Sequence, residues 1–191
     1  MSAVGLFCGA NDALPAAFRA AAAAFGAGLA GRGVTLVYGG SSRGLMGEAA
    51  RAAREAGGRV VGVMPRHLVS RERAAADIDE LHLVDSLAER KQRIADLSDL
   101  FVALPGGVGT LDEALEMITW FDAGISRKPT LFVDVEGFWQ PFAAMMAAFG
   151  AAGVLRPHLA GAWSILPDVA ATLLAVERAL AQQAPIEGRL A

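Results

Sequence analysis

Residues 100–113 read LFVALPGGVGTLDE, and this stretch decides the fold. Its opening run is apolar and predicts a short strand that is buried on both faces. The glycines that follow indicate a tight turn, and from Thr110 a helical pattern continues to Asp122. A buried strand that leads through glycines into a helix is typical of a parallel sheet covered by helices.

The same unit recurs on both sides of this stretch. Strands are predicted at residues 4–8, 34–38, 60–64, 81–84, 100–104, 130–133 and 163–166. Helices are predicted at residues 14–29, 45–56, 86–97, 110–122, 138–149 and 168–182. Asn11 and Asp12 provide a start signal for the first helix. The alternation predicts a single doubly wound, Rossmann-like α/β domain over residues 1–184, with a mostly parallel sheet flanked by helices and a flexible tail over 185–191.

Composition and charge argue against two classes of partner. The 191 residues carry a formal net charge of -3 and their lysines and arginines are scattered, so no nucleic-acid partner is predicted. No apolar run is long enough to cross a bilayer, which argues against a membrane span. The first residues lack a basic segment followed by an apolar one, so we expect a cytoplasmic location.

Metal and thiol chemistry find little support in the sequence. Cys8 is the only cysteine, so one chain has neither an internal disulfide nor a thiolate cluster. His67, His82 and His158 do not show metal-ligand spacing. We therefore predict neither a metal nor a cofactor.

Two glycine-rich loops each follow a predicted strand and precede a predicted helix. The 105–110 loop reads PGGVGT, and the 39–47 loop reads GGSSRGLMG. Glycines bring backbone N–H groups close to an anion, and a helix N-terminus adds partial positive charge. For either loop alone, a purely structural turn explains the glycines equally well, whereas the pair favours a phosphate ligand. The predicted phosphate-binding residues are Gly39, Gly40, Gly44, Met46, Gly106, Gly107, Val108, Gly109 and Thr110.

Neither loop matches a common nucleotide signature. Leu45 and Met46 stand where a P-loop requires Lys and Ser or Thr. The turn after the first strand, at residues 9–12, lacks the Gly-x-Gly-x-x-Gly fingerprint of dinucleotide sites. The expected ligand is therefore a phosphate ester smaller than ATP or NAD.

Glu113 is the residue that we assign to chemistry, as the acid of this phosphate site. A structural explanation competes with this assignment, because Thr110 and Glu113 fit a capping box in which the carboxylate bonds the Thr110 N–H. The spacing places Glu113, Glu116 and Trp120 on one helical face, whereas Asp112 is expected to be solvated.

The run ERKQR at residues 89–93 opens the helix before the 100–104 strand. Taken alone, it predicts an exposed charged surface. Cations in the first turn of a helix oppose its dipole, however, so a nearby negative group would explain Arg90 and Lys91. We include Lys91 and Glu116 among the predicted substrate-binding residues.

Together these motifs resemble the LOG (Lonely Guy) family of cytokinin riboside 5'-monophosphate phosphoribohydrolases, which older usage calls lysine decarboxylases. Residues 105–113 match the family motif Pro-Gly-Gly-x-Gly-Thr-x-x-Glu in full. Residues 39–47 match Gly-Gly-Gly-x-x-Gly-Leu-Met-Gly, except that Ser41 replaces the third glycine, and residues 89–91 match Glu-Arg-Lys. The similarity covers residues 4–135.

The resemblance implies an activity and the residues that perform it. The reaction is hydrolysis of the N-glycosidic bond of a purine nucleoside 5'-monophosphate, AMP or a cytokinin nucleotide, to free base and ribose 5-phosphate. The resemblance implies that Arg90 and Glu113 are the catalytic pair, that the loop at residues 106–110 holds the 5'-phosphate, and that the protein is a homodimer. Asp122 and Ser126 replace the family's usual Gln and His, which leaves the base preference open.

Two other functions are compatible with parts of the pattern. A lysine decarboxylase would need a lysine that binds pyridoxal phosphate, and Lys91 and Lys128 stand outside any recognisable motif of that kind. A non-catalytic carrier of a phosphorylated ligand, such as molybdenum cofactor, would use the phosphate loops but would not require the Glu113 carboxylate.

Overall fold

Seven parallel strands form one sheet in the computed structural model, which describes residues 2–183. The strands are β1 (Ala3–Phe7), β2 (Thr35–Tyr38), β3 (Val60–Pro65), β4 (Glu80–Val84), β5 (Leu100–Ala103), β6 (Thr130–Val133) and β7 (Trp163–Leu166). The helices are α1 (Ala16–Ala30), α2 (Gly44–Glu55), α3 (Leu87–Leu97), α4 (Val108–Asp122), α5 (Gln140–Ala151) and α6 (Val169–Gln183). Short 3-10 helices lie at Arg66–Leu68, Val135–Gly137 and Pro157–Gly161. The predicted doubly wound α/β fold is confirmed.

Both faces of the sheet are covered, which explains why the central strands are apolar throughout. On one face, α1, α2 and α6 pack against side chains such as Leu36 and Val102. On the other face, α3 and α4 cover Phe101 and Val63, and α4 and α5 cover Phe132. Burial of both faces removes the alternation of polar and apolar residues that a half-exposed strand would show.

The start of α1 differs from the sequence-based prediction. The helix begins at Ala16, after Pro15, and not at the signal formed by Asn11 and Asp12. Asn11 Oδ1 instead accepts a hydrogen bond from the Ala13 N–H, and Asp12 Oδ1 accepts one from the Gly44 N–H at the start of α2. These side chains are committed to a local turn and to another loop, so neither is available to cap α1.

The strand order places a crevice at the carboxyl ends of β1 and β5. The order is β4-β3-β2-β1-β5-β6-β7. The chain first adds β2, β3 and β4 on one side of β1, and then adds β5, β6 and β7 on the other side of β1. Ligands of open α/β sheets bind where the order reverses in this way. The loops of this region touch one another: the Gly9 N–H donates to the Pro105 carbonyl at 3.1 Å, and the Leu45 N–H donates to the Gly9 carbonyl at 2.9 Å.

The described helices include none that is long and apolar enough to span a membrane. The division into one domain over residues 1–184 stays a prediction. The tail predicted for residues 185–191 lies outside the described residues.

Candidate active site

Arg90 is buried beneath the crevice, although the sequence around it predicts an exposed charged surface. Its side chain is 7% exposed and lies on the first turns of α3. Nε donates to the Val63 carbonyl at 3.1 Å, and Nη2 donates to the Gly39 carbonyl at 2.7 Å. The expectation of an exposed Arg90 is therefore wrong, because the Gly39 carbonyl after β2 and the Val63 carbonyl of β3 replace water around the guanidinium.

Gly39 makes this burial sterically possible. A Cβ at position 39 would lie 1.8 Å from Nη2 of Arg90 and 2.9 Å from Sδ of Met46. Any larger residue would therefore displace the guanidinium from its carbonyl partners. Within the 39–47 loop, this glycine is required by the packing of Arg90.

Glu113 lies one turn into α4, half-buried at the floor of the crevice. The predicted capping box is wrong, because the N-cap of α4 is Gly107, and Thr110 already lies inside the helix. No hydrogen bond to the Glu113 carboxylate exists within residues 2–183. Desolvation raises the pKa of Glu113 from 4.5 to about 7, against the lowering effect of the nearby Arg90 charge.

Glu72 is a charged neighbour of this pair that sequence reasoning missed. It belongs to the segment between β3 and β4, and its Oε2 lies 3.5 Å from Nη2 of Arg90. The Glu72 charge also contributes to the raised pKa of Glu113. Its only sequence signal was its place in a loop at the carboxyl end of a strand, which it shares with many residues.

The 105–110 loop presents unpaired backbone donors at the start of α4. The first bond of the helix runs from the Leu111 N–H to the Gly107 carbonyl, so the N–H groups of residues 108–110 precede the helical ladder. The described residues offer no acceptor to these groups. A Cβ built at Gly107 or at Gly109 meets nothing within 4 Å, so the space before these glycines is open. The geometry suits an anion, and the binding roles predicted for this loop stay predictions.

Most backbone N–H groups of the 39–47 loop already donate to acceptors within the protein. The Gly44 N–H donates to Asp12 Oδ1 at 2.9 Å, and the Leu45 N–H donates to the Gly9 carbonyl. The Gly44 hydrogen bond and Arg43 together hold the pKa of Asp12 below its ordinary value. A carboxylate of the protein thus occupies the anion position at the start of α2. The Met46 N–H has no partner among the described residues, and phosphate binding by Gly39, Gly40, Gly44 or Met46 stays a prediction.

Lys91 and Glu116 pair with each other. Nζ of Lys91 lies 2.5 Å from Glu116 Oε2 and 3.0 Å from Asp112 Oδ2. Desolvation lowers the pKa of Lys91, but the bonds and charges of these two acids outweigh it and raise the pKa above its ordinary value. A direct role of either residue in substrate binding stays a prediction.

Two adjoining cavities, of about 440 and 420 Å³, share Glu72, Arg90 and Glu113 in their walls. A further cavity of about 470 Å³ lies beside α2, over Tyr38. Arg54 in its wall is paired with Asp77, so we place the chemistry at Glu113, where the carboxylate carries no such partner. No group of His, Cys, Asp and Glu within residues 2–183 is arranged to hold a metal ion.

Comparisons with known proteins show the family of the chain. The family model described as "Possible lysine decarboxylase" matches residues 46–176. A protein of Oryza sativa subsp. japonica named "Probable cytokinin riboside 5'-monophosphate phosphoribohydrolase LOGL1" is 42% identical over 151 residues, which are 79% of this chain and 68% of that protein. The chain belongs to the LOG family. The resemblance stated from the motifs is confirmed.

Other LOG relatives align over similar lengths. "Cytokinin riboside 5'-monophosphate phosphoribohydrolase LOG3" of Arabidopsis thaliana is 37% identical over 152 residues, 80% of this chain and 71% of that protein. The protein LOG of Oryza sativa subsp. japonica is 43% identical over 137 residues, which span 72% of this chain but 57% of that protein.

Solved structures show the same fold in proteins that carry or bind molybdenum cofactor. The molybdenum cofactor carrier protein of Chlamydomonas reinhardtii superposes with a TM-score of 0.73 at 25% identity, over 94% of this chain and 98% of that chain. The molybdenum cofactor binding protein of Rippkaea orientalis has a TM-score of 0.71 at 18% identity, over 94% and 97% of the two chains. The second similarity shows the fold alone.

Proposed function

We propose that the protein hydrolyses the N-glycosidic bond of a purine nucleoside 5'-monophosphate and releases free base and ribose 5-phosphate. The observation that carries this proposal is the Glu113 carboxylate. It is half-buried, without a hydrogen bond in the described residues, and it follows the open 105–110 loop on the same helix. We expect a phosphate bound at that loop to bring the attached ribose close to Glu113.

The chemistry requires a negative charge beside the sugar. Cleavage of an N-glycosidic bond passes through a state that resembles an oxocarbenium ion, which a carboxylate stabilises. With a pKa of about 7, Glu113 is partly ionised near neutral pH, so it can stabilise the cation and accept a proton from the attacking water. Glu113 is therefore both the electrostatic and the general-base candidate.

Arg90 lines the same two cavities as Glu113, which supports a role beside it. Its Nε and Nη2 are committed to the Val63 and Gly39 carbonyls, which hold the guanidinium plane in one orientation. No hydrogen bond or ion pair within residues 2–183 uses Nη1. This atom is available to bind the substrate or to assist departure of the base, and the rigid support reduces the entropy lost on binding.

The lysine decarboxylase hypothesis finds no suitable lysine. A Schiff-base lysine needs a neutral amine, whereas the pKa of Lys91 is raised by its two acidic partners. Nζ of Lys128 donates to the Ala95 carbonyl at 2.7 Å, at the end of α3. Both amines therefore have structural roles.

The similarity to molybdenum cofactor carriers supports a second candidate, a non-catalytic carrier of a phosphorylated ligand. A carrier of an anion gains nothing from an unpaired carboxylate in the same cavity, because like charges repel. Glu113 and Arg90 together therefore favour the hydrolase.

One assay distinguishes the two candidates. Purified protein is incubated with AMP and, separately, with isopentenyl-AMP, and free base is measured by chromatography. A hydrolase releases base over many turnovers, whereas a carrier binds at a fixed stoichiometry and releases none. Comparison of the two substrates also reports the base preference, which the changes at Asp122 and Ser126 leave open.

We also propose that the protein is a homodimer in the cytoplasm. Large apolar side chains remain on the surface of the chain, among them Val108 at 86% and Ile125 at 70% exposure. A second copy of the chain would cover such surface. Analytical ultracentrifugation of the purified protein tests the assembly.

A further inference from the structure

Ser41 departs from the LOG pattern, which has glycine at this position, and its hydroxyl is fully engaged. The residue is completely buried in the 39–47 loop. Its Oγ donates to the Glu72 carbonyl at 2.7 Å and accepts a hydrogen bond from the Arg43 N–H at 3.1 Å. A glycine offers neither bond, so this chain has a connection between the loop and Glu72 that the usual family residue cannot make.

The segment after Glu72 is attached to the same loop at several points. Ser42 donates to the Arg73 carbonyl from its backbone N–H at 2.9 Å and from its Oγ at 2.8 Å. The Ala75 N–H donates to the Gly40 carbonyl at 2.9 Å. Arg73 has a φ of 50°, a left-handed conformation that is strained for a residue with a side chain. The attachment to the loop maintains this conformation next to Glu72.

We infer that Ser41 is a positioning residue, which holds the Glu72 carboxylate against the Arg90 guanidinium and thereby sets the charge around Glu113. The inference rests on the proposed function, since it deepens the account of the same site. Within residues 2–183, no hydrogen bond joins Ser41 to Arg90 or to Glu113. Ser41 acts through its hydrogen bond to the Glu72 carbonyl. The Glu72 side chain lies in the walls of both cavities with Arg90 and Glu113.

The charges that face Glu113 determine the direction of the effect. Arg90 and Lys91 on α3 lower its pKa, while Asp112 on α4 and Glu72 on the β3–β4 segment raise it. The Cys8 thiol at the end of β1 also faces Glu113, but burial raises the pKa of Cys8 and keeps it neutral. Release of Glu72 removes a negative neighbour and exposes Glu113 to the full charge of Arg90. Both changes lower the pKa of Glu113.

The test follows the titration of Glu113 by NMR, in protein labelled with carbon-13 at the glutamate side-chain carboxyls. The Glu113 signal is the one that disappears in Glu113→Gln. We expect Ser41→Ala and Ser41→Gly to lower its midpoint by about half a pH unit. Ser42→Ala, a matched control, leaves the midpoint unchanged, because the Arg73 carbonyl keeps the hydrogen bond from the Ser42 N–H. The acid limb of kcat/KM for AMP moves with the midpoint.

A second substitution separates positioning from general loosening of the loop. Glu72→Gln lowers the midpoint by itself, and Ser41→Ala then adds no further shift. An unchanged midpoint in the Ser41 variants, or an equal shift in the Glu72→Gln background, would overturn the inference. Glycine belongs to the family pattern at this position, so Ser41→Gly retains the backbone should Ser41→Ala not fold. A protein that shows these shifts but releases no base retains the inference and loses the proposed function.

Discussion

The two glycine loops have the same local design and different tertiary roles. Each follows a parallel strand and begins a helix, but the 39–47 loop is directed into the protein and the 105–110 loop is directed outward. A Cβ at Gly44 would lie 2.5 Å from the Ala10 backbone, whereas a Cβ at Gly109 would meet nothing within 4 Å. The glycines of the 39–47 loop are required by packing, whereas Gly107 and Gly109 leave room for a ligand and Gly106 packs against Thr110.

The two loops also differ in what they contribute to the candidate site. The 39–47 loop supplies the Gly39 carbonyl to Arg90 and the Ser41 hydroxyl to the Glu72 backbone. The 105–110 loop opens the helix that carries Glu113. We therefore expect substitutions in the second of these regions to reduce activity in a folded protein, and substitutions in the first to reduce stability.

The largest effect is expected at Glu113. Glu113→Gln should lower kcat about 100- to 1,000-fold with little change in KM, because the charge is felt chiefly in the transition state. Steady-state release of base from AMP measures this. Asp112→Asn, at the adjacent and more exposed carboxylate, should stay within about threefold of the wild type. A Glu113→Gln enzyme with the wild-type rate would remove Glu113 from the mechanism.

A melting experiment shows whether the Glu113→Gln protein is folded. The pKa of Glu113 is raised from 4.5 to about 7 in the folded state, so stability falls as the pH rises from about 4.5 to about 7, and the full loss remains above pH 7. The variant should therefore melt at a higher temperature than the wild type at pH 8, and the gain should vanish near pH 4.

Gly44→Ala should reduce the free energy of unfolding by about 2–4 kcal/mol, because the new Cβ meets backbone and the φ of 54° is left-handed. Urea denaturation followed by circular dichroism measures the loss. Gly57→Ala is the matched control, since Gly57 has a φ of 77° but open space around it. Gly57→Ala should lower the free energy of unfolding by about 1 kcal/mol, because only the left-handed backbone conformation disfavours alanine there. Equal losses at the two positions would show that the inward packing at Gly44 is unimportant.

Gly109→Ala should have the opposite profile, with intact stability and weaker binding. The added methyl occupies the space before the helix N-terminus, so KM for AMP should rise about tenfold. The melting temperature should be unchanged or higher, because alanine favours the helix. Gly150→Ala in α5, where a Cβ also meets nothing within 4 Å, should leave KM unchanged. A normal KM in Gly109→Ala would argue against phosphate binding at this loop.

The smallest effect is a pH dependence near neutrality. Because the pKa of Glu113 is about 7 and its ionised form is the active one, kcat/KM for AMP should fall about threefold between pH 7.5 and 6.5. The residual activity of Glu113→Gln should not show this fall. A profile shared by both proteins would assign the titration to the substrate phosphate or to another group.

The sequence predicted the sheet well because its strands are distinctive locally. Residues 130–133 and 163–166 form strands with the predicted bounds, and the ends of the other strands differ by at most one residue. Apolar runs bounded by glycine or proline report burial on both faces, which depends on each segment's own composition. Local capping rules were less informative: they failed at Asn11 and at Thr110, where other contacts take the side chains or the helix begins earlier.

Sequence by itself determined the α/β alternation, the two glycine loops and the family to which the chain belongs. Tertiary structure alone decided that Arg90 is buried, that Glu72 lies beside it and that the two loops differ in role. The Arg90 partners Gly39 and Val63 are 51 and 27 residues away along the chain, and Glu72 is 18 residues away. Such contacts depend on how strands are ordered in the sheet, and no local spacing records that order.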